Sequence, residues 1–173
     1  MHKIKHSANS RGLANHGWLK SSHSFSFANY YNAERMNFGA LRVLNDDVVQ
    51  PKMGFGTHPH QNMEIISIPL KGTLSHKDSM NNIRSLEVNE VQVMSAGTGI
   101  YHSEFNNDSE NDVKLFQIWL FPRERKRNAS ALPWQSSGSR TTRTCMHRRF
   151  FADDVLALLI VTFLDGSIEN DAT

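Results

Sequence analysis

Short apolar runs broken by turn residues set the rhythm of this chain. Ser22-His23-Ser24-Phe25-Ser26-Phe27 alternates with period two, as a half-buried or edge strand does. Residues 40–44 run apolar up to Asn45-Asp46-Asp47, 64–70 end at Lys71-Gly72, and 72–76 end in the polar stretch 77–82. Residues 83–88 precede Asn89-Glu90, 91–94 run to Ser95-Ala96-Gly97, and the last run covers 113–121. Runs of this length, recurring at roughly 8–12-residue spacing without helical periodicity between them, predict an all-β antiparallel sandwich or small barrel. Gly54-Phe55-Gly56 lacks the strand-to-helix setting of a dinucleotide-binding turn and reads as a loop.

The pattern changes after Pro122. Residues 123–128 are a charge run, and 135–144 hold Ser, Thr, Arg and Gly with no apolar period, which reads as linker. Residues 153–164 read as a short helix capped by Asp153 or Asp154, with leucines recurring on one face. The expected organisation is one β domain over 1–122 and a tail over 123–173 that contains no second set of short strands.

Composition changes little in this picture. A chain of 173 residues, 39% hydrophobic and 21% charged, is long enough for one domain with a sizeable core. The net charge of +2 selects no partner, but its distribution is uneven. Residues 1–122 balance eleven bases with eleven acids, 123–149 hold eight bases and one acid, and 150–173 hold five acids and no base. No aromatic interleaving or recognition motif accompanies the basic stretch, so nucleic acid is not an expected partner. The single cysteine, Cys145, permits no intrachain disulfide and fits a reducing compartment. The N-terminus has no apolar signal core. The longest apolar run is about ten residues, against roughly 20 for a membrane span, so the expected location is cytoplasmic.

The chemistry sits in two short patterns. His58-Pro59-His60 and His102-Ser103-Glu104 each place two metal-capable side chains at i and i+2, which share a face of an extended strand. With the two strands side by side, three imidazoles and a carboxylate meet at one point. Gly54 and Gly56 precede the first pair, Gly97 and Gly99 the second, and glycine lets backbone bend where ligands are aimed inward. Such donors suit one divalent ion among iron(II), nickel, cobalt, manganese, copper and zinc. No thiolate is offered, which rules out a cysteine-type structural zinc site. Four ligands on one wall leave about two positions for water, substrate or dioxygen. Glu64 is a candidate acceptor for a ligand histidine's N–H, with a plain edge-strand charge as the alternative. His76 is either a supporting residue behind the site or a structural one. His2, His6, His16, His23 and His147 lie in polar or basic sequence and read as solvated or locally hydrogen-bonded.

The segments Gly54-Phe55-Gly56-Thr57-His58-Pro59-His60-Gln61-Asn62-Met63-Glu64 and Met94-Ser95-Ala96-Gly97-Thr98-Gly99-Ile100-Tyr101-His102-Ser103-Glu104 closely resemble the pirin family of the cupin superfamily. Residues 22–28, 41–47 and 117–122 support the likeness, which covers about 10–125. It implies a cupin β-jelly roll holding one metal ion through His58, His60, His102 and Glu104, with iron(II) the expected ion among the six. Bacterial members resemble quercetin 2,3-dioxygenases, which open a flavonol's central ring with dioxygen and release carbon monoxide. The metal would then hold the flavonol oxygens while Glu104 takes the 3-hydroxyl proton. Other members look like metal- or redox-sensing proteins that bind a transcription factor or metabolic enzyme. Pirins resemble bicupins, and residues 123–173 depart from that pattern. The tail reads as the product of a frameshift or truncation, which also leaves an inactive remnant as an expectation to test.

Overall fold

The computed structural model describes residues 6–125 and 128–135. Their strands are β1 (Gly12–Asn15), β2 (Leu19–His23), β3 (Leu41–Val49), β4 (Gly54–His60), β5 (Glu64–Lys71), β6 (Leu74–Asp78), β7 (Ile83–Leu86), β8 (Glu90–Ser95), β9 (Ile100–Asn106), β10 (Val113–Leu120) and β11 (Ser130–Gln135). One sheet has the order β1-β2-β3-β10-β5-β8-β11, the other β4-β9-β6-β7, and every pairing is antiparallel. The chain is all-β, with the two-sheet architecture of a cupin.

Strand β3 shows how sequence builds this sandwich. Leu41, Val43, Asn45, Asp47 and Val49 are buried and the residues between them half-buried, the period of a strand with one face on a core. Two apolar clusters close the interior. Leu19, Val49, Leu74, Leu86, Val113 and Leu115 form one; Ile65, Met94, Ala96 and Ile100 form the other. Each fully buried aliphatic side chain stabilises the fold by about 1.5–3 kcal/mol.

Between the clusters runs a polar belt. Strand register places His23, Asn45, Gln117, Ser67 and Gln92 in one row across five strands of the larger sheet, all buried. Buried polar groups are costly unless hydrogen-bonded, and much of this row is bonded. His23 donates from Nδ1 to Asn45 Oδ1 (2.9 Å), and Ser21 donates its hydroxyl to Asp47. That explains a departure from the sequence expectation. Asn45-Asp46-Asp47 is no turn but the middle of β3, because its inward-facing members find partners on β2. His23 is buried, at 3% exposure, so of the two readings the hydrogen-bonded one holds and the solvated one does not.

Asp47 makes this belt sensitive to pH. Burial raises its carboxyl from 3.8 to about 6, with the Ser21 hydrogen bond opposing and the Asp46 charge adding. A raised folded pKa means stability is fully present below about pH 4 and declines as pH rises through about 6. Two units correspond to about 3 kcal/mol. Asp47→Asn is therefore expected to gain thermal stability relative to the parent as pH rises from 4 to 7. Parallel melting curves at the two pH values check this; a difference that does not change with pH refutes it.

Three further departures concern element bounds. The strand expected over 22–27 runs instead over Leu19–His23. Gly54-Phe55-Gly56, expected as a loop, opens β4. Strand β11 lies in the stretch assigned to the tail and pairs with β8, carrying the larger sheet past residue 122. The linker expected over 135–144, its first residue aside, and the helix over 153–164 lie outside the described residues.

Candidate metal centre

The strands that carry His58, His60 and His102 belong to the smaller sheet, and β9 lies between β4 and β6. His58 pairs with His102 across β4–β9, and His76 with Glu104 across β6–β9. Directly paired residues share a sheet face, so all four side chains point into the sandwich with His60. Register alone would defeat this, because Phe55 faces Glu104 and His58, three residues on, faces His102. A bulge between Phe55 and His58 takes up the odd residue. It keeps the apolar ring and the imidazole on one face.

Glycines serve two distinct purposes here. A Cβ at Gly54 would stand 2.2 Å from the Glu104 carbonyl oxygen and 2.6 Å from the Phe105 Cα. The close approach of β4 to β9 therefore requires glycine. Gly54→Ala is expected to cost about 3 kcal/mol or more, since the obstruction is backbone rather than a movable side chain. A urea titration in which the Ala variant matches the parent midpoint would refute this. Gly97 (φ 48°) and Gly99 (φ 147°) form the turn into β9, where Gly97 O accepts the Asn62 N–H at 2.8 Å and ties the two ligand-bearing segments together.

Two donor groups result, and His102 belongs to both. The donor atoms of His58, His60 and His102 lie within 4.8 Å of one another, as do those of His76, His102 and Glu104. Ring centroids are 4.4 Å apart for His58–His102, 4.8 Å for His58–His60 and 4.9 Å for His60–His102. His58 Nδ1–H donates to Gly56 O (2.7 Å), which fixes the tautomer and leaves Nε2 with its lone pair. His60 Nε2 and both ring nitrogens of His102 and of His76 are buried without a hydrogen-bond partner. Unsatisfied buried nitrogens on converging imidazoles fit a cation.

Electrostatics agree with the geometry. Burial, and then the His58 charge, lowers His60 to about 4. Burial and the neighbouring His58, His60 and His76 hold His102 far below the ordinary value. Burial also lowers His76. All three rings are neutral at pH 7, the form that binds metal. Glu104 is moved the other way: burial raises it to about 7, against the hydrogen bonds of Ser67 and Gln117. Ser67 Oγ–H donates to Oε1 and Gln117 Nε2–H to Oε2, each at 2.7 Å. Each carboxylate oxygen keeps a further lone pair.

The sequence expectations divide accordingly. His58, His60 and His102 are brought together, and Glu104 stands two residues along the same face, grouped with His102 and His76 rather than with all three. His76 is closer to the centre than a supporting position requires. Glu64 is not where strand periodicity from His60 placed it. β4 ends at His60, the chain turns through Asn62 (φ 49°), and Glu64 opens β5 in the other sheet. Its carboxylate accepts the Ser95 hydroxyl, and the unpartnered nitrogens of His60, His76 and His102 are not bonded to it. Ser67, Gln117 and Trp119 were missed. Trp119 packs edge-on against His60 at 4.8 Å. A lone polar residue inside Ile65-Ile66-Ser67-Ile68 and Phe116-Gln117-Ile118 was the available signal.

Two antiparallel sheets enclosing a histidine–carboxylate cluster define a cupin-fold protein with donors suited to a divalent metal. The family model described as Pirin matches residues 5–120, and the chain belongs to the pirin family. It is 57% identical over 117 residues to a quercetin 2,3-dioxygenase of Escherichia coli K12, covering 68% of this chain and 51% of the relative. It is 44% identical over 155 residues to a pirin-like protein of Caulobacter vibrioides, covering 87% of this chain and 65% of the relative. A match of that extent reaches beyond residue 122, so part of the basic stretch has a counterpart in a pirin-like relative. The crystal structure of YhhW from E. coli superposes with a TM-score of 0.75 at 50% identity over 77% of this chain and 57% of that one. The bacterial pirin YhhW in complex with nickel(II) gives 0.72 at 52%, over 74% of this chain and 56% of that one. The chain spans about half the length of its E. coli curated relative. No helix among the described residues is long and apolar enough to cross a membrane.

Proposed function

We propose that this chain is a metal-dependent dioxygenase of the quercetin 2,3-dioxygenase type, acting on a small flavonol-like aromatic substrate with dioxygen. The observation that carries the reading is the convergence of His58, His60 and His102, their donor atoms within 4.8 Å, beside the buried Glu104. His58, His60, His102 and Glu104 hold the ion. Iron(II) is our assignment; nickel, copper, cobalt, manganese and zinc fit the same donors, and the nickel(II) complex of a related pirin supports a divalent first-row ion. When bound, the cation supplies Lewis acidity to the flavonol oxygens.

The chain's own residues do the rest. Glu104 accepts the 3-hydroxyl proton, the role open to a carboxylate beside an open coordination position. Ser67 and Gln117 clamp both its oxygens and fix its direction. His58 is oriented by the Gly56 carbonyl. Trp119, against His60, offers an apolar wall to an aromatic ring. We place this activity in the cytoplasm, a reading supported by the lone cysteine.

Quercetin absorbance in air-saturated buffer, followed with each of the six metals, tests the proposal. Consumption with carbon monoxide release is expected with at least one metal, and none in chelator. A chain that binds one ion but consumes no flavonol with any metal sets the oxygenase aside. Metal-dependent capture of a defined protein partner would then support the sensing alternative.

A further inference from the structure

At the β1 end of the larger sheet, a cavity of about 300 Å³ is lined by Leu13, Ala14, Ala28, Tyr30 and His23, together with two asparagines and a further histidine. One wall is pre-formed. Phe27 and Tyr30 exchange both backbone hydrogen bonds (3.0 and 2.9 Å) across the turn Ala28-Asn29. The Tyr30 ring then lies directly over Gly12, where an added Cβ would stand 2.2 Å from a ring carbon. His23 pairs with Gly12 across β1–β2, and its ring runs near-parallel to that of Tyr30, 6.3 Å away at 23°. His23 is 3% exposed, and its Nδ1–H is committed to Asn45 Oδ1 at 2.9 Å, with Ser21 Oγ 3.2 Å from the same nitrogen. That bond fixes the tautomer and leaves a lone pair on Nε2, which makes no hydrogen bond among the described residues. Nε2 is thus the ring atom left to the cavity, and a buried acceptor is costly until something donates to it.

We propose that this cavity is a separate small-molecule site, taking a single-ring phenol whose hydroxyl donates to His23 Nε2. Small-molecule sites run from roughly 300 to 1,000 Å³, so this one suits a single ring. The faces of that ring meet Tyr30 and the aliphatic Leu13 and Ala14, and only a ligand carrying O–H or N–H satisfies the imidazole. No Asp, Glu, Lys or Arg lines the cavity, so a neutral hydroxyl fits better than an ammonium or a carboxylate, each of which would lack a counter-charge. Leu13, 80% exposed, leaves the cavity open to entry from solvent. Phe27 separates the site from the metal centre. Its ring is 5.3 Å from His23 on one side and 5.3 Å from Trp119, which packs on His60, on the other. The inference therefore stands or falls independently of the proposed oxygenase activity.

Phenol is the probe, titrated into the full chain in chelator and followed by heteronuclear NMR, with toluene as a control of the same size that lacks the hydroxyl. Phenol is expected to shift the amides of Ala14, Ala28 and Tyr30 saturably, with affinity about 10-fold or more above toluene, which leaves Nε2 covered and unpaired. His23→Phe keeps a ring but no acceptor and is expected to erase that preference. Ala14→Leu fills the cavity and is expected to abolish saturable binding while nickel uptake stays at the parent value. Absence of a saturable shift, equal affinity for phenol and toluene, or an unchanged phenol titration in Ala14→Leu each overturns the site. Shifts confined to β4 and β9 overturn it too, by placing the phenol at the metal centre. A blocked tyrosine amide that binds more tightly than phenol also overturns it, by making the occupant a peptide side chain. Should His23→Phe not fold, Ala14→Leu and the toluene comparison decide.

Discussion

His102→Ala is expected to abolish stoichiometric metal binding, with nickel affinity falling by more than about 100-fold. That exceeds the 10- to 100-fold loss typical when only a supporting partner is removed. The reason is topological. β9 is flanked by β4 on one side and β6 on the other, so His102 is the one residue common to both donor groups. Its ring lies 4.4 Å from His58, 4.9 Å from His60 and 5.2 Å from His76. The fold should survive. The substitution opens a cavity, but it also removes two buried nitrogens that lack partners in the parent, and these costs oppose each other. Differential scanning fluorimetry with and without nickel separates the cases. At 100 times its dissociation constant an ion stabilises the parent by about 2.7 kcal/mol, and the variant should show no shift. A folded His102→Ala chain that still takes up one ion would end the metal-centre reading.

Glu104→Gln is expected to lower flavonol turnover per bound metal by about 10²- to 10⁴-fold, the usual contribution of a positioned base. Glutamine matches the volume, and its carbonyl can still accept from Ser67, while the proton acceptor is lost. The amide nitrogen then faces the Gln117 donor at the place of Oε2, so Gln117 must turn its own amide over. Single-turnover rates normalised to metal content check the claim. Undiminished turnover at equal metal content would remove Glu104 from the chemistry and leave it a ligand or a cross-sheet tie. Gln117→Leu offers a contrast. It leaves the carboxylate in place but takes away one of its two hydrogen bonds, so Glu104 moves further from ionisation and the rate should shift with pH.

The two pairs of metal-capable residues were legible in the sequence because strand periodicity is local. Once His58 and His60, or His102 and Glu104, are extended, alternation of side chains puts each pair on one face. Glu64 shows where that logic stops. Its spacing from His60 counts as one strand only if no turn intervenes, and Asn62 makes one. Asn45 to Asp47 fails for the complementary reason. Three polar residues look like a turn until β2 supplies His23 and Ser21 as partners.

The sequence by itself determined an all-β chain of short strands and two inward-facing pairs of metal-capable residues. Only the tertiary structure decided that β9 separates β4 from β6, that a bulge aligns His58 with His102, and that Ser67 and Gln117 reach Glu104 from the facing sheet. The physical reason is the range of the forces involved. Backbone geometry decides which face a residue takes within its own strand, whereas neighbours and register come from hydrogen bonds between segments distant in the chain. Packing between the sheets then selects which buried groups meet.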